Sequence, residues 1–286
     1  MKKSRLDVWN RFVAWSRFTA ACSLLGSVCP GILAAEPTPT PVTEARELFN
    51  GQDLTNWYRY IKDEGKENDP AGVFTVRDGK LCISGEKLGC ITTHEAFENY
   101  RLIVEYRYTG AAIPPRENRT RDCGILLHSV GKDGAWNGTW MYSIECNIIE
   151  GGAGDFIVVG DGSENYAVTA NIKDEKSPKG CGIYDPNGKP HTINGGRIDW
   201  WGRDPRWEDV KGFRGVQDLE KPIGEWNTIE VICDGNTITN IVNGVVANRA
   251  YDVKPSCGKI QIQSEFAGFE FRRITILPLE KTPSGK

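Results

Sequence analysis

"MYSIECNIIEGGAGDFIVVG", residues 141–160, is the stretch on which the fold turns. Extended backbone sends successive side chains to opposite faces. Ile144, Cys146 and Ile148 therefore share one face, and Ser143, Glu145 and Asn147 share the other. The glycine-rich "GGAG" interrupts the run before "DFIVV" resumes it. These are two strands of a sheet with an apolar inner face and a polar outer one. A solvated strand face ordinarily mixes both signs of charge. This one offers carboxylate and amide instead, and that raises the question of function.

The period of two recurs along the chain. "GVFTVRDGKLCIS" (72–84) reads as two strands around Asp78-Gly79, and "WNTIEVICDGNTITNIVNGVV" (226–246) as a hairpin followed by an Asn243-Gly244 turn. Asp-Gly and Asn-Gly tolerate the positive φ that two-residue hairpin loops require. "YRLIVEYRY" (100–108), "CGILLHSV" (123–130), "GKIQIQS" (258–264) and "GFEFRRITIL" (268–277) are further strands. Many short strands with turn punctuation make this an all-β chain, a sandwich or a barrel. Between Gly160 and Gly224 the alternation gives way to Gly, Asp, Pro and aromatics, which reads as one long loop region. Trp200 and Trp201 in that region are either a stacking platform for sugar rings or packing for the loop.

Residues 1–17 carry five Lys/Arg and one Asp, and Phe18–Ala35 carry no charge before a small-residue "GILAA" end. Residues 1–35 are expected to be a signal peptide, 36–44 a proline-rich linker, 45–280 a single domain and 281–286 a tail. Export to the periplasm or beyond follows; a membrane tie would need a retained leader or lipidation at Cys22. Without the leader the chain carries a net charge near −7, which argues against nucleic acid as a partner. Seven cysteines remain beyond the leader, an odd number with no close Cys-x-x-Cys pair. Cys82, Cys146 and Cys233 read as buried thiols, and a Cys82–Cys90 bridge is an alternative for an exported protein.

Alternation also sorts the other strands. His128 falls with Gly124 and Leu126 opposite Ile125 and Leu127, and Gln261 and Gln263 fall opposite Ile260 and Ile262, with Glu265 continuing the polar side. His128, Glu145, Asn147, Gln263 and Glu265 are thus expected to converge on one outer face. Such a set provides directional partners for a neutral polyol. An outer solvated face of a plain sandwich accounts for any one of them singly.

Six blocks in order carry a resemblance: "LFNGQDLTNW" (48–57), "YRLIVEYRY" (100–108), "CGILLHS" (123–129), "SIECNIIEGGAGDF" (143–156), "GEWNTIEV" (224–231) and "GKIQIQSEFAGFEFRRITI" (258–276). Together they resemble the 3-keto-disaccharide hydrolase family over about residues 45–280. The resemblance implies a two-sheet antiparallel jelly-roll sandwich of the concanavalin A-like type, acting on glycosides oxidised to a ketone at C3. Where that family commonly reads "NSG", this chain reads "RDCG" (121–124).

The chemistry so implied is elimination. A C3 ketone acidifies the C2 proton, a base removes it, and the C1–O bond breaks; water then completes hydrolysis. Glu145 and His128 are the base and acid candidates in either order, with Glu265 assisting the leaving group. Asn147, Gln263, Gln261, Glu150, Asp155, Trp200 and Trp201 make up the candidate substrate-binding set. A divalent metal ion on His128 and Glu145 is an alternative way to polarise the ketone. Two competing readings share the same face. "ECNIIE" is one Asp-to-Asn change from the E-x-D-x-x-E strand of retaining family-16 glucanases, which would require a bulge to bring Glu145 and Glu150 together. A lectin-like module would bind carbohydrate without turnover.

Overall fold

The computed structural model describes residues 38–280 of the 286-residue chain. The expected leader, the first two linker positions and the C-terminal tail lie outside the described residues. Every regular element within them is a strand. The linker contributes Thr40–Pro41, paired in parallel with Phe97–Glu98.

Two antiparallel layers form the body. The front layer runs, in spatial order, Trp57–Ile61, Gly89–Thr93, Lys259–Ser264, Asp122–Val130, Tyr142–Ile149, Phe156–Val159 and Gly196–Asp199. The back layer runs Phe74–Arg77, Lys80–Ile83, Ala267–Pro278, Tyr100–Ala112, Asn227–Asp234, Thr237–Val242 and Val245–Lys254. Spatial neighbours are often remote in sequence, as in a jelly-roll sandwich of the concanavalin A-like type. Val245–Lys254 also pairs with Ala167–Lys176, which continues the front layer, so the two layers are joined along one side.

Alternation fills the space between the layers. Tyr100, Leu102, Val104, Tyr106 and Tyr108 are buried while Arg101, Ile103, Glu105 and Arg107 between them are not. They meet Ile125, Leu127, Ile144, Cys146, Ile148, Phe156, Ile260 and Ile262 of the front layer in one core cluster. The hairpin turns match their sequences. Asp78 and Gly79 have φ of 50° and 72°, and Asn243 and Gly244 have 48° and 84°. Positive φ at both central positions is the twist-matched two-residue loop.

One expectation is corrected and one alternative is ruled out. The region from Gly160 to Gly224 is no single loop: it contains Ala167–Lys176, Gly182–Tyr184, Lys189–Ile193 and Gly196–Asp199. Three of these strands have five residues or fewer, and the ten-residue one changes register against two of its partners, so no sustained period of two marks them. The seven cysteines are all free thiols, and Cys82 and Cys90 belong to different layers.

One irregularity redirects a side chain. Asp122–Val130 stays in register with Tyr142–Ile149 through Leu127 and then slips before Val130. His128 lies in the slip with a φ of 52°, in the left-handed region. A bulge of this kind adds one residue to a strand and reverses the facing of the side chains beyond it. Gly258 makes the close approach feasible, because a Cβ there would collide with the His128 carbonyl.

Candidate functional site

The outer face of the front layer, directed away from the core, carries the candidate site. Register sets its rows: Gly124 opposes Asn147, Leu126 opposes both Glu145 and Gln261, Glu145 opposes Ile157, and Ile157 opposes Arg197. Gly124 is the floor. A Cβ at that position would overlap the Glu145 carboxylate and stand 2.5 Å from Gln263 Oε1, so only glycine lets both side chains lie across it.

Asn147 ties the acids together. Its Nδ2 lies 2.7 Å from Glu145 Oε1 and 3.1 Å from Asp122 Oδ1, donating to both, while Arg197 Nη1 donates to its Oδ1 at 3.3 Å. Gln263 Nε2 is 3.5 Å from the other Glu145 oxygen, and its own Oε1 is buried with no protein partner. Arg116 Nη2 lies 3.1 Å from Asp122 Oδ2 and reaches Asp209 at 3.4 Å. Thr120 donates to the same Asp209 carboxylate at 2.6 Å, fastening the 116–120 turn to the segment that carries Asp209.

Burial dominates the electrostatics. It pushes the Glu145 carboxyl up to about 8, with the Asp122 charge adding to the effect. Glu265 is held well above the usual carboxylate range by burial, then by Asp122, with Glu145 contributing. Asp122 is raised by burial despite Arg116 and Arg197. Three carboxyls near one another cannot all ionise cheaply, so the cluster retains protons that a surface site would release. Glu265, Ile157 and Arg197 are mostly but not fully buried and form its least covered side.

The structure brings Glu145, Asn147, Gln263 and Glu265 into this cluster. It does not bring His128. The bulge turns the imidazole into the core, edge-on to Tyr100 of the back layer at 5.9 Å. His128 Nδ1 is 2.9 Å from the Pro255 carbonyl, its Nε2 has no partner, and burial pulls its pKa down to about 4. An ion shared between His128 and Glu145 has no place, because the two point to opposite faces. Among the described residues, no three His, Cys, Asp or Glu side chains are grouped as metal ligands.

Other candidates have structural partners. Glu150 is fully buried and paired with Arg121, whose Nη1 and backbone N each lie 2.7 Å from its carboxylate. The strand Tyr142–Ile149 shows no bulge between Glu145 and Ile149. Glu145 and Glu150 are therefore not a facing pair, and the family-16 arrangement is absent. Asp155 accepts from Arg197 at 2.7 Å, from Arg203, and from the Trp200 backbone N–H at 2.7 Å. Its role is to hold Arg197 in place. Gln261 takes Met141 N–H at 3.1 Å and donates to Thr92 at 2.9 Å, so its amide is engaged internally. Trp200 is buried in the core and Trp201 leans on it, donating to the Val246 carbonyl at 2.9 Å. Neither is a free platform.

Sequence reasoning missed Asp122, Gly124's role, Arg116 and Arg197. Asp122 was reachable, since it has the parity of Gly124 and Leu126, one residue beyond the strand as read. The arginines come from segments without a strand signal.

Among solved structures, the chain is similar to two putative glycosyl hydrolases of Parabacteroides distasonis ATCC 8503. One has 16% identity, a TM-score of 0.48 and coverage of 83% of this chain and 94% of that one; the other has 20%, 0.45, 82% and 100%. A β-glucanase of Bacillus licheniformis aligns at 11% identity and a TM-score of 0.41, covering 82% of this chain and 97% of that one. No curated protein sequence matches. The 3-keto-alpha-glucoside-1,2-lyase-like domain matches residues 44–277, the span that holds both layers and the whole carboxylate cluster, and the chain accordingly belongs to that carbohydrate-active family.

Proposed function

We propose that the protein, exported by its leader, cleaves 3-keto-glycosides by elimination. Glu145 is the base: it takes the C2 proton, the electrons move toward the C3 oxygen, and the enolate collapses to expel the substituent at C1. Glu265 delivers a proton to the leaving oxygen. The Arg197 guanidinium at the least covered side supplies positive charge for the enolate oxygen, and the free Gln263 Oε1 accepts from a ring hydroxyl. Water addition to the resulting 2-hydroxy-glycal gives net hydrolysis.

The observation that carries this reading is the Glu145 environment. A carboxyl near 8 is a stronger base, once ionised, than a surface glutamate, and it is matched to chemistry near neutral pH. The fully engaged Asn147 positions that carboxyl and is no substrate ligand in this reading.

The test is an incubation of the protein with a disaccharide and with its 3-keto derivative, with and without chelator. Free sugar and 2-hydroxy-glycal are followed by NMR. Cleavage of the keto sugar alone is expected. Cleavage of the unoxidised sugar, or binding without turnover, would overturn the reading.

A further inference from the structure

The outer face has a second half. It meets the carboxylate cluster at the cross-strand pair Leu126–Glu145. Leu126, Cys90 and Trp140 form a buried apolar cluster there, with Tyr60, Leu88 and Trp136 packed at its margin. Trp136 stacks on Trp140 with ring centroids 5.3 Å apart and planes 20° from parallel. Trp140 is buried, whereas Trp136 remains half-exposed. The segment carrying both is clamped to the sheet. Tyr58 donates to Asp133 at 2.9 Å, and Trp140 Nε1 to the Gly89 carbonyl at 3.2 Å.

Those clamps engage the Tyr58 hydroxyl and the Trp140 indole N–H, and Gln261 is engaged as well. Over the stacked indoles a second sugar ring would turn hydroxyls toward apolar carbon, and polar groups left unpartnered there are costly to desolvate. A flat apolar ring would meet no such cost and gains from stacking. On its opposite flank the acid cluster is closed by Arg116–Asp209 and by Arg203–Asp155. A substituent on C1, with C2 presented to Glu145, has the partly exposed margin of the apolar half, Tyr60 and Trp136, as its neighbour.

We propose that Tyr60 and Trp136, backed by the buried Leu126 and Trp140, form a leaving-group subsite for an aromatic aglycone, and that the substrates are 3-keto-glycosides of phenols. This rests on the elimination reading above. It also accounts for the absent histidine: a phenol ionises near pH 10, as tyrosine does, so it departs with far less acid assistance than an alkyl alcohol. The step balances without a redox partner. The C2 proton passes to Glu145 and its electron pair becomes the C1–C2 double bond. The C1–O pair leaves with the phenolate, which takes a proton from Glu265. The products are a 2-hydroxy-3-keto-glycal and a phenol.

Binding is measured by calorimetry on Glu145→Gln protein, where turnover cannot interfere, with phenyl and methyl 3-keto-glucosides and a 3-keto-disaccharide. The phenyl glycoside is expected to bind at least tenfold tighter than either of the others. Adding Trp136→Ala should erase that preference, and Trp136→Phe, which keeps a stacked ring, should retain most of it. Equal binding of all three ligands, tightest binding of the disaccharide, or a preference that survives Trp136→Ala would overturn the subsite. Wild-type turnover is scored separately. Failure to cleave any 3-keto-glycoside would remove the reaction, while the calorimetry still decides the subsite.

Discussion

The Glu145 carboxylate lies across Gly124 so closely that a methyl group on Gly124 would occupy its space. Gly124→Ala should therefore act on the site through shape alone. Overpacking of this kind costs about 1–3 kcal/mol of stability. Displacing a reacting group by roughly 1 Å costs on the order of a hundredfold in rate. Thermal unfolding and kcat on a 3-keto-glycoside check both; a variant with full activity would show that the carboxylate need not sit where it does.

Glu145→Gln should abolish turnover while the fold persists. The wild-type kcat/KM should rise with pH and level off above about 8, where the base form predominates. Stability carries the opposite sign. The folded carboxyl binds its proton more tightly than the unfolded one, so the proton-linked contribution is full below the unfolded value near 4.5 and is lost as pH rises through about 8. Each tenfold difference in proton affinity between the folded and unfolded chain corresponds to about 1.4 kcal/mol. Glu145→Gln, which is neutral throughout, should gain in melting temperature over wild type as pH climbs from about 5 to about 9.

His128→Asn should leave the pH profile unaltered. Asparagine tolerates the left-handed backbone at this position and can donate to the Pro255 carbonyl. The expected loss is about 1 kcal/mol of stability, from packing against Tyr100. With its pKa near 4, the buried imidazole is neutral above about pH 5 and contributes no limb there. Disappearance of a limb between about pH 5 and 8 in this variant would return His128 to the chemistry.

Glu150→Gln separates the elimination reading from a family-16 mechanism. It leaves the Arg121 guanidinium buried beside a neutral amide, and breaking a buried pair costs about 3–5 kcal/mol. Activity per folded molecule should persist. Loss of all turnover with an unchanged melting temperature would give Glu150 a catalytic part.

Much of this was legible in the sequence, and the exceptions have physical causes. A period of two reports the facing of side chains as long as the strand is regular, which is why the shared facing of Glu145, Asn147 and Gln263 is readable from it. It fails at a bulge, and nothing in "LLHSV" announces that His128 takes positive φ. That conformation is held by contacts with Gly258 and Pro255, more than a hundred residues away. Arg116 and Arg197 were invisible for a related reason. Their guanidiniums are drawn in by Asp122 and Asp155, and such pairings depend on tertiary proximity that a local pattern does not encode. In the sequence Trp200 and Trp201 suit either a platform or packing, and the core position of Trp200 decides for packing. The aromatic face lies instead at Trp136 and Trp140.

The strand Val245–Lys254, shared between the layers, has a consequence for the protein in crowded surroundings. Because it pairs on both sides, neither layer ends there. Strands with a single neighbour include Gly65–Lys66 and Arg46–Glu47, of two residues each, Phe74–Arg77, and Lys189–Ile193, which contains Pro190. Brevity, charge and proline are the features that deny an incoming chain a template for strand addition. A fold built almost wholly of β-structure is thereby guarded against growing into fibres with its own copies.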